Sequence, residues 1–196
     1  MSSGDPATRA RILAAARELL EEKPGAPVSM VEVARRAAVS RQALYLHFAD
    51  RSDLFLEVTR EADAAARTPE RQRRIDEAVS GRAALREAVA VQAELKPELR
   101  GIATALDVLR RTDPAAQAAW SEREDARRAR CGQVVARLDA EGSLAPGWDV
   151  AGASACLWAV TSQRVWDDLV VHLGWSTERY RAHVLALLEG ALLPAG

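Results

Sequence analysis

Between Val28 and Phe55 the chain reads VSMVEVARRAAVSRQALYLHFADRSDLF, and this run leaves few folds open. Ser29 with Glu32 three positions on forms a capping box, in which the hydroxyl accepts from the third helical N–H while the carboxylate reaches back to the cap's own N–H. Val28 and Val33 supply the matching hydrophobic staple, and Met30, Val33, Ala34 and Ala37 recur at i, i+3, i+4 and i+7, so a short amphipathic helix is expected. Ser40 caps a second start, stapled by Val39 and Leu44. Only about three residues, Ala37 to Val39, remain to turn the chain, which fits a helix-turn-helix rather than two antiparallel helices. Ala38 stands where a glycine most easily takes the left-handed conformation.

In the second helix Leu44 and Phe48 point inward, so Arg41, Gln42, Tyr45 and Leu46 lie on the opposite or flanking faces. Those are residue types that read duplex DNA: Arg grips guanine O6/N7, Gln pairs with adenine N6/N7, and an apolar tip such as Leu46 meets a thymine methyl. Tyr45 and His47 suit the rim, donating to phosphates. A third helix starts at Asp50 with Arg51 in its first turn, where free N–H groups and the helix dipole meet another phosphate. Singly, Ser29 and Ser40 are caps and Tyr45 or Leu46 core edge; together with Arg41, Gln42, His47 and Arg51 they answer to one DNA-docking geometry.

The same run, above all AVS followed by LYLHF and a charged helix start, resembles the DNA-binding domain of the tetracycline-repressor (TetR) family of bacterial transcription regulators. The resemblance implies a homodimeric repressor with a divergent ligand-binding domain. Before the second helix, where such proteins often carry a glycine and an aromatic, this chain has Lys23-Pro24-Gly25-Ala26-Pro27, a stiffer linker.

The 196 residues suffice for one good core or two modest ones, and the net charge of -1 is neutral on partners. The balance is local: Arg9, Arg11, Arg35, Arg36, Arg41 and Arg51 fall in the first quarter, and the acids Glu18, Glu21 and Glu22 gather at the far end of the first helix. A short basic footprint is enough, because few phosphates are contacted per subunit. Cys131 and Cys156 form no disulfide framework and no metal spacing, so no cofactor or metal is expected and a reduced cytoplasm is the natural home. MSSGDPATRARI has no apolar signal core, and Gln163, Arg164, Asp167 and Asp168 interrupt the later apolar stretches, so no membrane span is expected.

Helix signals fill the rest. Asp5-Pro6 opens a helix with Ile12, Ala15, Ala16, Leu19 and Leu20 on one face, and the helix from Asp50 continues through Leu54, Val58 and Ala62; the family resemblance implies that this helix is the lever joining head to body. Thr68-Pro69 ends or kinks it, and Glu70 to Asp76 reads as a hinge or mobile loop. Ser80 caps a helix that stops near Lys96-Pro97, a second runs on from Pro97, and Asp113-Pro114 opens a long helix to Leu138 whose middle, SEREDARRAR, reads as a solvated face. Asp149 caps a helix opening on small residues and carrying bulk through Leu173; the chain turns at Gly174, and Ser176 or Thr177 starts a last helix with Tyr180, Val184, Leu187, Leu188 and Ala191 on a stripe. These last two helices are apolar on more than one face, which points to a four-helix bundle built from two chains.

The expectation is therefore an all-α protein, with a helix-turn-helix domain over residues 1–50 and a helical ligand-binding and dimerisation domain over 51–196. It would act as a ligand-responsive repressor, binding a palindromic DNA operator as a homodimer and released by a small apolar or aromatic effector. Candidate effector contacts are Asp107, Trp120, Trp158, Gln163 and Asp167, polar or aromatic groups among apolar neighbours, for which buried-structural roles are the competing reading. The alternative function is a ligand-binding or protein-interaction module with an inactive reading head. An enzyme is not expected: His47, His172 and His183 are scattered, with no nucleophile elbow, P-loop or dinucleotide fingerprint.

Overall fold

A computed structural model of the chain describes residues 5–22 and 26–194, and every regular element among them is a helix. The linker reading at Lys23, Pro24 and Gly25 lies outside the described residues. The helices form two compact units, one from residues 5–65 and 99–124, the other from 66–98 and 125–194. Among the described residues no helix is long and apolar enough to cross a membrane.

The first unit starts from the cap at Asp5, whose carboxylate accepts from Ala7 and Thr8 N–H and from the Thr8 hydroxyl, the last being the chief cause of its lowered pKa. Helix α1 (Pro6–Glu22) follows, then α2 (Met30–Arg36), α3 (Arg41–His47) and α4 (Arg51–Ala66). Their apolar stripes close on one another: Ile12, Ala16, Leu20, Val33, Leu44 and Phe55 are all fully buried. At roughly 1.5–3 kcal/mol per large side chain removed from water, this cluster holds the short α2 and α3, which would not persist alone.

Four expectations from the sequence fail here. The charged run after Thr68 is helix α5 (Pro69–Asp76), not a hinge or loop. Thr68 caps it, and two of its arginines clamp it to α6 (Gly81–Leu109): Arg71 reaches Glu98 at 2.5 Å and Glu94 at 3.2 Å, while Arg74 reaches Glu94 and Glu87, both at 2.8 Å. These contacts push both guanidinium pKa values up and hold that of Glu98 down. Nor does α6 stop at Lys96-Pro97; it runs through Pro97 without a break. Pro97 removes one intrahelical hydrogen bond, but Leu95 and Leu99 are buried on either side and their packing outweighs that loss.

The third correction concerns α7 (Pro114–Ala140), where SEREDARRAR is only partly a solvated face. Arg123, Glu124 and Arg127 are buried. Arg123 approaches Asp63 at 3.4 Å and Glu124 at 3.2 Å, whereas Arg127 donates to the Trp158 carbonyl at 2.7 Å and lies over the Trp158 indole. Buried charges persist only when partnered in this way. Finally, the helix from Asp149 does not run on to Leu173. Helix α8 (Val150–Val160) ends at Thr161, Ser162 caps the short α9 (Gln163–Trp166), and the chain widens into a π-helical turn over Asp167–His172. The hydroxyls of Thr161 and Ser162 explain the break, one donating to the Leu157 carbonyl and the other accepting from Val165 N–H. Gly174, at φ 69°, turns the chain into α10 (Thr177–Leu192), capped by Ser176. In the second unit Leu85, Val89, Val135, Leu138, Tyr180 and Leu188 are the fully buried centre.

Candidate nucleic-acid interface and cavity

Capping fixes the reading head. Ser29 Oγ accepts Glu32 N–H at 3.2 Å while Glu32 Oε2 accepts Ser29 N–H at 2.9 Å, the reciprocal pair expected from their spacing. At the other end of α2, Ala38 N–H bonds the Arg35 carbonyl and Val39 N–H the Ala34 carbonyl, a Schellman turn with Ala38 at φ 52°. Ser40 Oγ then accepts Ala43 N–H at 3.0 Å and starts α3.

With Leu44 0% and Phe48 1% exposed, the rotation of α3 about its axis is fixed. Its far side presents Arg41, Gln42, Tyr45 and Leu46 to solvent; Leu46 is 76% exposed, an apolar tip left uncovered by the described residues. His47 is half-buried with its ring 6.4 Å from that of Phe48, at the edge of the face. Asp50 caps α4 through Asp53 N–H, and Asp53 reaches back to Ala49 N–H.

Much of the basic charge of the first quarter is engaged within the unit. Arg36 is bidentate on Glu22, at 2.7 and 2.8 Å, and also touches Glu18; these carboxylates, Glu22 first, push its pKa up. Arg9 pairs with Glu57 and lies over the Phe48 ring. Glu57 is held below the usual carboxylate range by Arg60 first and Arg9 after it. Arg51 is bound to Asp113 at 2.9 Å, the same carboxylate that caps α7 through Ala115 N–H. Arg35 and Arg41 remain exposed.

The five candidate effector contacts are divided between the two units. Asp107 pairs with Arg110, whose guanidinium lies 4.9 Å over Trp120, all in the first unit. In the second, Arg127 and Arg128 lie over the Trp158 indole at 5.0 and 4.6 Å, and Gln163 donates to Asp167 at 3.3 Å. None of the five lines the cavity of about 200 Å³ within the second unit. Ala84, Ala88 and Gln92 of α6 line it at i, i+4 and i+8, with Arg130, Cys131 and Val134 of α7 facing the same space. A helical repeat of small and polar residues inside a buried stripe is the sequence signal of this cavity. Burial raises the pKa of the Cys131 thiol, and burial does the same to Cys156. Among the described residues no group of three or more His, Cys, Asp and Glu is placed to hold a metal.

Residues 12–58 match the sequence profile of the bacterial regulatory proteins of the tetR family. No curated protein sequence matches the chain. Among solved structures it is similar to NalD, the secondary repressor of the MexAB-OprM multidrug efflux pump in Pseudomonas aeruginosa, at 26% identity and a TM-score of 0.71 over 95% of this chain and 96% of that one. The tetR regulator TylP of Streptomyces fradiae (22%, TM-score 0.66, 96% and 89% covered) shares the fold. So does FadR of Bacillus subtilis, solved in complex with stearoyl-CoA (16%, TM-score 0.74, 91% and 96% covered).

Proposed function

Because this chain is a transcription regulator of the tetR family, with that family's DNA-binding domain at residues 12–58, we propose that it is a repressor that binds a palindromic operator as a homodimer and releases it when a small molecule fills the second unit. Residues 1–50 would form the reading head and 51–196 the ligand-binding and dimerising body. The observation that carries this reading is the outward face of α3, where Arg41, Gln42, Tyr45 and Leu46 stand exposed on a helix whose roll is fixed by Leu44 and Phe48. Arg41 and Gln42 would read bases, Leu46 a thymine methyl, and Ser29, Ser40, Tyr45, His47 and Arg51 would hold phosphates.

Paired copies must present their α3 helices about 34–36 Å apart to enter successive major grooves. An effector favouring a body conformation in which that spacing is wrong weakens DNA binding by the factor by which DNA weakens effector binding, roughly 5- to 150-fold for couplings of about 1–3 kcal/mol. The cavity of about 200 Å³ is smaller than the roughly 300–1,000 Å³ of drug-sized sites, so the effector is small; Ile75, Val134 and Leu157 give it an apolar wall. NalD, a repressor of an efflux pump, supports the repressor assignment.

A mobility-shift titration against the DNA upstream of its own gene tests the reading. Arg41→Ala should cost about 1–3 kcal/mol on the specific site and relax preference at one operator position. Arg51→Ala should weaken all sequences alike and reduce the salt slope by about one. Binding that is only salt-sensitive and indifferent to sequence would favour instead a ligand-binding module with an inactive head.

A further inference from the structure

We propose that the cavity of the second unit selects a small amphipathic carboxylate, its charged end on Arg67 and Arg130 and its apolar body against Ile75, Val134 and Leu157; this rests on the reading of that cavity as the effector site.

The lining is chemically lopsided. Among the described residues Asp76 is the one acidic side chain lining it, and that carboxylate already accepts from Gln72 at 2.9 Å. Arg137 also lines the space but is held by Glu141 at 3.2 Å and by the carbonyls of Asp76 and Ala78, so its role is to tie α7 to the chain after α5. Arg67 and Arg130 line the same space, and Arg67 Nε and Arg130 Nε and Nη2 are buried nitrogens that make no hydrogen bond among the described residues. A guanidinium carries five N–H donors and one carboxylate takes two of them, so each can hold an internal partner and still donate into the cavity. Gln92 and Gln133 add further amide donors on the same wall.

The field inside agrees with the donor count. At Cys131, on the cavity wall, burial raises the thiol's pKa most, while Arg127, Arg130, Lys96 and Arg67 all act in the opposite direction, as cations do on an incipient anion. A neutral apolar ligand would offer the inward-facing donors no acceptor, and a cation would meet like charge. A carboxylate supplies both acceptors and charge, and its chain covers the apolar wall.

The test uses full-length dimer with three probes of one chain length, octanoate, octanol and octylamine, followed by calorimetry and by release from operator DNA. Octanoate should bind at least about tenfold tighter than octanol, the scale of a charge-assisted hydrogen bond, with octylamine weakest. Arg130→Met and Arg67→Met should erase that preference, Arg130→Lys should retain it, and melting curves identify any variant that fails to fold. Ala88→Leu, which fills the apolar side, should weaken all three probes and so locates them. Octanol or octylamine binding as well as octanoate, or a preference unchanged in both Met variants, overturns the carboxylate while leaving the effector site standing if operator is still released. Operator binding that none of the probes perturbs, with none of them bound, overturns both.

Discussion

Ala38 holds φ at 52° in the turn between α2 and α3, where the Schellman bonds require a left-handed residue. That conformation costs an L residue about 1–2 kcal/mol, part of which glycine gives back through unfolded-state entropy. Ala38→Gly should therefore raise stability by about 0.5–1 kcal/mol and the melting midpoint by about 2–4 °C per kcal/mol gained, read by calorimetry. On α3 two leucines two positions apart separate folding from reading. Leu44→Ala should cost about 2–5 kcal/mol, whereas Leu46→Ala should leave stability within about 0.5 kcal/mol and weaken operator binding. Glu141 accepts Gly81 N–H at 2.6 Å and pairs with Arg137, and the Gly81 bond is the main reason its pKa lies below the usual carboxylate value. Because the folded value is the lower one, its contribution is complete above the unfolded value and is lost as pH falls through the folded value. Urea melts across about pH 3 to 6 should show wild type losing more stability on acidification than Glu141→Gln, and parallel curves would refute the assignment.

Along α4, three pairs fix its register on the start of α7: Arg51 to Asp113 at 2.9 Å, Arg60 to Glu122 at 2.6 Å, and Asp63 to Arg123 at 3.4 Å. The partners advance together along both helices, so the two run parallel and a one-residue slip would break every rung. The rungs differ in energy because they differ in burial. Arg123 is 6% exposed, and Arg123→Ala, which strands Asp63, should destabilise by about 3–5 kcal/mol in chemical denaturation. Arg60 is exposed, so Arg60→Ala should leave the denaturation midpoint where it is. None of this ladder was legible in the sequence, since a charge at helical spacing reads as solvated whether or not a second helix covers it. The same ambiguity hid α5, whose arginines find Glu87, Glu94 and Glu98 13 to 27 positions away. Caps behaved otherwise: Ser29, Ser40, Asp149 and Ser176 each bond an N–H three residues on, a partner the sequence itself supplies.

For the assembled protein, the proposed partner surface is the uncovered side of α8 and α10. Ala151, Ala155 and Ala159 stand exposed on one helix and Ala182, Ala186 and Gly190 on the other, with Leu187 57% exposed among them. Small residues at this spacing let two helices approach closely, and the exposed leucine supplies the apolar contact. Leu187→Glu with Ala155→Glu should sediment as a monomer of unchanged helical content that no longer shifts operator DNA; a dimer that persists would move the interface elsewhere. The sequence by itself determined the helix starts, the all-α class, the turn at Ala38 and the outward face of α3, because caps and apolar periodicity act within a few residues of one another. Only the tertiary structure decided that Pro97 lies inside a continuous helix, that Arg123 and Arg127 are buried, and that Arg67 and Arg130 meet at one cavity. Each of those outcomes depends on which distant helix covers a given face, and local chemistry carries no record of that.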